Sequence, residues 1–253
     1  MTSYTVTATN GGGGNGIALQ VEVITGAAET GGATAAASNS NALTASLTPN
    51  FSASFIAWAA MIATGSPTSI SGAASNALLT VAAGTDTFND ATQGVTYSAG
   101  YYTGTVTAST PVTVGGSQTA LSTFGEMAAY EIQPSGSWAE DASTPAYAHS
   151  TSAATITTAS FTPPAGGAVL VAVACCNFTG TGSGSNITIT STPALTWTQR
   201  ASNAAASNGG VGVYTATVPS SFTSGPALPQ QFMGSRPAVV VSGAGWRGAN
   251  HSR

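Results

Sequence analysis

The chain is expected to be all-β, as two tandem β-sandwich, jelly-roll-like domains followed by a C-terminal extended arm. Three observations point there. Segments rich in Thr, Val, Ile and Tyr alternate polar with apolar residues, the pattern of strands buried on one face. Clusters of Gly, Pro, Asn and Ser punctuate these segments, as turns require. The chain also repeats itself. Ser46-Leu47-Thr48-Pro49, followed by the apolar run Phe55–Ala60, recurs as Ser160-Phe161-Thr162-Pro163, followed by Val169–Ala174. Tyr102-Thr103-Gly104-Thr105-Val106 recurs as Tyr214-Thr215-Ala216-Thr217-Val218. So long a period means two domains rather than a solenoid of short repeats.

In chain order, Tyr4–Thr9 reads as a first strand and Ile17–Ile24 as a second, with a glycine-rich turn between them. Gly26–Asn41 reads as a small-residue loop, in which Ala33–Ser38 has the alanine content for one helical turn. The first repeat continues through strands at Ala42–Leu47, Ser54–Ala63, Ala77–Ala82, Val95–Val106 and Glu126–Ile132. Pro134-Ser135-Gly136-Ser137 is the expected junction, giving domains at residues 1–134 and 135–242. The second repeat runs through Ala154–Phe161, Ala168–Cys176, Ile187–Thr190, Leu195–Gln199 and Gly212–Val218. Alanine-rich Ala201–Ser207 is expected in a loop. Pro237–Val241 is the expected counterpart of Met127–Ile132, and residues 243–253 form the arm.

Charge is scarce: 5% of residues carry it, and there is no lysine. Such a surface suits packing against neighbours, since solubility normally leans on charge. All eight acids lie between Glu22 and Asp141, and all four arginines (Arg200, Arg236, Arg247 and Arg253) follow them. That polarity would favour head-to-tail contact between copies. Four scattered arginines make no nucleic-acid surface. No run is long and apolar enough to span a membrane as a helix, and no signal peptide is evident, so synthesis in the cytoplasm is expected.

Candidates for chemistry are few. Cys175 and Cys176 sit in an apolar strand and read as buried free thiols. His149 and His251 are far apart, with no nucleophile elbow nearby. Glu126 and Glu131, five apart on a strand, would face opposite sides. Neither catalytic, cofactor nor metal residues are expected. The nearest thing to a metal site is the acidic loop containing Asp86 and Asp90, which lacks the glycine and terminal glutamate of a calcium hand. Tyr97, Tyr101 and Trp138 are candidate glycan contacts through ring stacking. Trp246, Arg247 and Arg253 are candidate partner-docking anchors.

Phe161-Thr162-Pro163-Pro164-Ala165-Gly166-Gly167 leads into Val169–Val173, then Leu195-Thr196-Trp197-Thr198, then Val213-Tyr214-Thr215-Ala216. This series resembles β-sandwich repeats in structural proteins of actinobacterial tailed phages. Gly16–Ala27 is similar to opening segments of their minor tail or particle-surface proteins. The first repeat departs from the pattern, with Asn50 in place of Pro164 and no Leu-Thr-Trp-Thr block. The resemblance implies a non-enzymatic virion component present in several copies. Its partners would be other virion proteins, copies of itself and, for an adhesion module, host-envelope glycan. The expected role is tail assembly or host attachment, with capsid decoration as the alternative.

Overall fold

The computed structural model describes residues 2–11, 16–38, 42–63, 70–72, 87–90, 94–102, 105–118, 124–164, 166–177, 187–205 and 209–220. The protein is all-β, with no helix among the described residues. The strands are β1 (Thr5–Asn10), β2 (Ile17–Ala28), β3 (Thr34–Ser38), β4 (Ala42–Leu47), β5 (Phe55–Ala63), β6 (Ile70–Gly72), β7 (Thr87–Asp90), β8 (Val95–Tyr101), β9 (Val112–Gln118) and β10 (Phe124–Glu140). They continue with β11 (Ala148–Ser150), β12 (Thr155–Thr157), β13 (Val169–Asn177), β14 (Ile187–Thr192), β15 (Thr198–Ala205) and β16 (Gly209–Thr217). The expected strand at Ala77–Ala82, the counterpart strand at Pro237–Val241 and the arm lie outside the described residues.

The same antiparallel pairing occurs twice. In the first set a small sheet runs β4-β9-β6, and part of the large sheet runs β10-β5-β8-β7. In the second set the orders are β12-β1-β14 and β2-β13-β16-β15. The repeated apolar runs Phe55–Ala60 and Val169–Ala174 thus occupy equivalent strands, β5 and β13. The sets differ in connectivity. Where the first uses β9 and β10, the second uses β1 and β2 from the start of the chain. Pairing therefore crosses residue 134: β1 and β2 ladder with β12, β13 and β14. The place beside β13 that corresponds to Met127–Ile132 is held by β2.

Alternation on the central strands builds three cores. On β5 and β10, Ile56, Trp58, Ala60, Met127 and Ala129 face the small sheet of the first set. On β2 and β13, Ile17, Leu19, Leu170 and Ala172 face the small sheet of the second. The opposite faces meet each other, with Ala57, Ala59 and Met61 packed among Val171, Val173, Cys175 and Val213. The Cys175 thiol donates to the Ala60 carbonyl oxygen across this middle core at 3.4 Å. The order of layers is therefore small sheet, large-sheet half, large-sheet half, small sheet. β13 is buried on both faces along its whole length, which explains why it reads as a continuous apolar run.

Two Ala-rich segments expected as loops are strands: Ala33–Ser38 contributes β3, and Ala201–Ser207 overlaps β15. Small side chains suit both, because β3 lies close to β15 and Asn203 bridges them by donating to the Ala37 carbonyl at 2.8 Å. Pro134–Ser137 is not a linker but an irregularity within β10. There the strand passes from pairing with β3 and β5 to pairing with β2.

Candidate functional site

The irregularity in β10 positions an aromatic corner. Gly26 on β2 has φ +68°, and a Cβ there would collide with the Ser137 carbonyl oxygen. The missing side chain lets the two backbones approach closely, and the next residue, Trp138, turns back over the start of β5. Its indole N–H donates to the Ala53 carbonyl at 2.8 Å. Ala53 itself adopts φ 57°, and its N–H is held by the Val106 carbonyl at 2.8 Å. The Phe55 ring lies beneath, fully buried, with its centroid 5.1 Å from those of both Trp138 and Tyr101. Tyr101 and Trp138 stand nearly perpendicular, at 83° and 6.5 Å. Both are half-buried, and the Tyr101 hydroxyl points at Glu140 Oε2 with a long 3.4 Å contact. Two rings at right angles beside a carboxylate can receive the C–H face of a sugar and accept a hydrogen bond from its hydroxyl groups.

The structure therefore brings together Tyr101 and Trp138, two of the three candidate glycan contacts. It excludes the third: Tyr97 is completely buried in the middle core. Val95, Tyr97, Ala99 and Tyr101 share one face of β8. Tyr97 lies within that strand, flanked by β5 and β7, whereas Tyr101 is at its end. Sequence reasoning missed Phe55 and Glu140 as members of the corner. Glu140 lies just past the expected junction at Pro134–Ser137, and Phe55 shows no feature beyond an apolar run. Trp246, Arg247, Arg253 and Asp86 lie outside the described residues, as does the side chain of Asp90.

The carboxylates have structural partners. Glu131 is completely buried and accepts from three main-chain N–H groups: Ala33 and Asn50 on Oε2, at 2.9 and 2.8 Å, and Phe51 on Oε1 at 2.9 Å. Glu126, facing the other side of β10, accepts from the Ser38 hydroxyl at 2.6 Å. Burial pushes the Glu126 carboxyl above its usual range, against the opposing effect of that hydrogen bond.

Glu29 gathers Arg200 Nη2 at 2.9 Å, the Thr215 hydroxyl at 3.0 Å and the Thr217 hydroxyl at 2.7 Å. Arg200 also lies over the Tyr130 ring and borders an open cleft of about 300 Å³ between β3 and β15. Burial alone would raise the Glu29 carboxyl. The bonds from Thr217, Thr215 and Arg200, with the Arg200 charge, outweigh it and hold the group below its usual range. The acidic and basic parts of the chain thus meet here within one molecule, which meets the demand of Arg200 for a counter-charge without a second copy.

These shifts have opposite signs in stability. The Glu29 contribution is complete above the unfolded value of about 4.5 and is lost as pH falls through the folded value. The Glu126 contribution is complete below that range and is lost as pH rises through its raised folded value. Glu126→Gln is accordingly expected to raise the denaturation midpoint at pH 7 more than at pH 4. Glu29→Gln is expected to flatten the loss of stability below pH 4.5. Guanidinium titrations across pH check both, and parallel pH profiles of wild type and variants would contradict them.

Cys175 and Cys176 are free, buried thiols. Burial pushes Cys176 up to about 12 and Cys175 higher still, so neither carries a thiolate at neutral pH.

Comparison with protein-family models finds no match. Neither curated proteins nor solved structures supply a match for the chain.

Proposed function

We propose that the protein is a structural component of a tailed-phage particle, a minor tail protein that contributes to tail assembly or host-surface attachment. The observation that carries this reading is the use of the acids. In a chain with so few charges, Glu131, Glu126 and Glu29 hold main-chain N–H groups, hydroxyls and an arginine in place. That is the chemistry of a rigid building block. The phage-like pattern of the second repeat, spread over β13, β15 and β16, supports the same assignment. Cryo-electron microscopy of particles from the source tests it. Density for the four-layer unit on the tail supports the assignment, density on the capsid lattice favours a decoration role, and its absence from particles overturns both.

The corner of Tyr101, Trp138 and Glu140 favours a second, compatible reading as a glycan-contacting adhesion module. Tyr101→Ala is expected to weaken binding to host-envelope polysaccharide about two- to tenfold, because one aromatic contact contributes about 0.5–1.5 kcal/mol beyond the area it buries. Equal retention of variant and wild type on immobilised polysaccharide would remove this reading. Loss of folding, followed by circular dichroism, is the control.

A further inference from the structure

The chemistry left open at the aromatic corner is one-sided. Its side-chain donors are already engaged: the Trp138 indole N–H donates to the Ala53 carbonyl at 2.8 Å, and the Tyr101 hydroxyl donates to Glu140 Oε2 at 3.4 Å. Ring surface and carboxylate oxygen remain for a ligand. Both attract positive charge. The face of an aromatic ring is the negative side of its quadrupole, and a carboxylate only accepts hydrogen bonds.

Glu140 differs from the other acids in what it holds. Glu131, Glu126 and Glu29 each fix main-chain or side-chain donors. Asp141 accepts from the Ser143 N–H at 2.9 Å, and Glu22 accepts from the Gln20 amide at 3.1 Å. Glu140 has the one long contact from Tyr101. Nor is its charge answered within the protein. The one ion pair among the described residues joins Arg200 to Glu29, and the chain contains no lysine. In a chain so sparing of charge, a half-buried carboxylate with no structural task is set for something outside it.

The rings leave room beside it. Phe55 packs against both at 5.1 Å, whereas Tyr101 and Trp138 stand 6.5 Å apart at 83°. A small cation between two rings so placed lies within about 6 Å of both centroids, the range of a cation–π contact. We propose, on the glycan-contacting reading above, that the corner takes an amino sugar with a free ammonium group in preference to its N-acetylated counterpart. An ammonium offers three donors and no acceptor, so each of its hydrogens finds a carboxylate oxygen or a ring face here. The carbonyl oxygen of an acetamido group needs a donor instead, and the Trp138 and Tyr101 donors are taken. The sugar's C–H face then lies against whichever ring the ammonium leaves open.

The test titrates the full chain with a short glucosamine oligosaccharide and with its N-acetylated counterpart, by calorimetry in mildly acidic buffer of low salt. Wild type is expected to bind the free amine about five- to tenfold more tightly. Glu140→Gln is expected to reduce that preference to about twofold or less, because it keeps the shape of the side chain and removes its charge. Asp141→Asn removes the same charge one residue on and keeps an acceptor for the Ser143 N–H, so it is expected to leave the preference intact. Circular dichroism and melting confirm that both variants fold. Equal or tighter binding of the N-acetylated sugar overturns the ammonium assignment and leaves the glycan reading standing. Binding of neither sugar removes both. An equal loss of preference in the two variants shows diffuse attraction to negative charge and also overturns the assignment.

Discussion

Glu131→Ala is expected to lower stability by about 3–5 kcal/mol, because it leaves three main-chain N–H groups without their acceptor in a water-poor corner. The carboxylate draws together the start of β3, through Ala33, and the turn before β5, through Asn50 and Phe51. For a chain of this size the loss corresponds to a melting point lower by roughly 10 °C. Glu131→Gln separates charge from geometry. Its one amide oxygen can replace Oε2 and keep the Ala33 and Asn50 bonds, but its NH₂ group then confronts the Phe51 N–H. An intermediate loss of about 2 kcal/mol is expected. Hydrogen exchange gives a local readout, with protection lost first at Ala33, Asn50 and Phe51. An alanine variant melting within two or so degrees of wild type would show that water replaces the carboxylate at little cost.

Gly115→Ala is expected to lose about 3 kcal/mol or more through backbone strain and collision. Gly115 lies in β9 at φ +99°, where a side chain is strained in any surroundings. A Cβ would also strike the Leu43 carbonyl oxygen on the neighbouring strand, with the Met127 sulfur 2.7 Å away on the core side. The carbonyl belongs to the β4–β9 ladder and cannot withdraw without opening it above the core that holds Trp58 and Ile62. Gly136→Ala is the matched control. Nothing lies within 4 Å of its added carbon, and no measurable change is expected. Similar midpoints for the two variants in guanidinium would show that β9 relaxes freely and that the collision carries no weight.

Strands with strong side-chain contrast were legible in the sequence. The alternation of Thr5 to Thr9 and the apolar runs in β5 and β13 marked elements that the structure contains, and the all-β class followed from them. β3 and all but the start of β15 were missed because alanine, serine and threonine offer little contrast between inside and outside. Their burial is set by neighbouring strands rather than by their own pattern. Pro134–Ser137 has turn composition, yet it forms the place where one long strand changes partners. The aromatic corner was half legible. Tyr97 and Tyr101 share composition and face, and only distance from the strand end separates a buried ring from an accessible one. The Glu29–Arg200 pair spans 171 positions, and its sole signal was the rarity of charge.

The borrowed places of β1 and β2 have a kinetic side. On the ribosome these strands are made before their partners β12, β13 and β14, which follow well over a hundred residues later. Until then Leu19, Val21 and Val23 have no β13 to cover them. The first set, by contrast, contains every strand of its own ladders between β3 and β10. It can close while the remainder is still being synthesised, leaving the amino-terminal pair to be captured last. Contacts of such separation fold slowly, and the waiting pair is an exposed edge during that interval. In pulse-labelling hydrogen exchange, amides of β5 and β10 should therefore gain protection before those of β1 and β2.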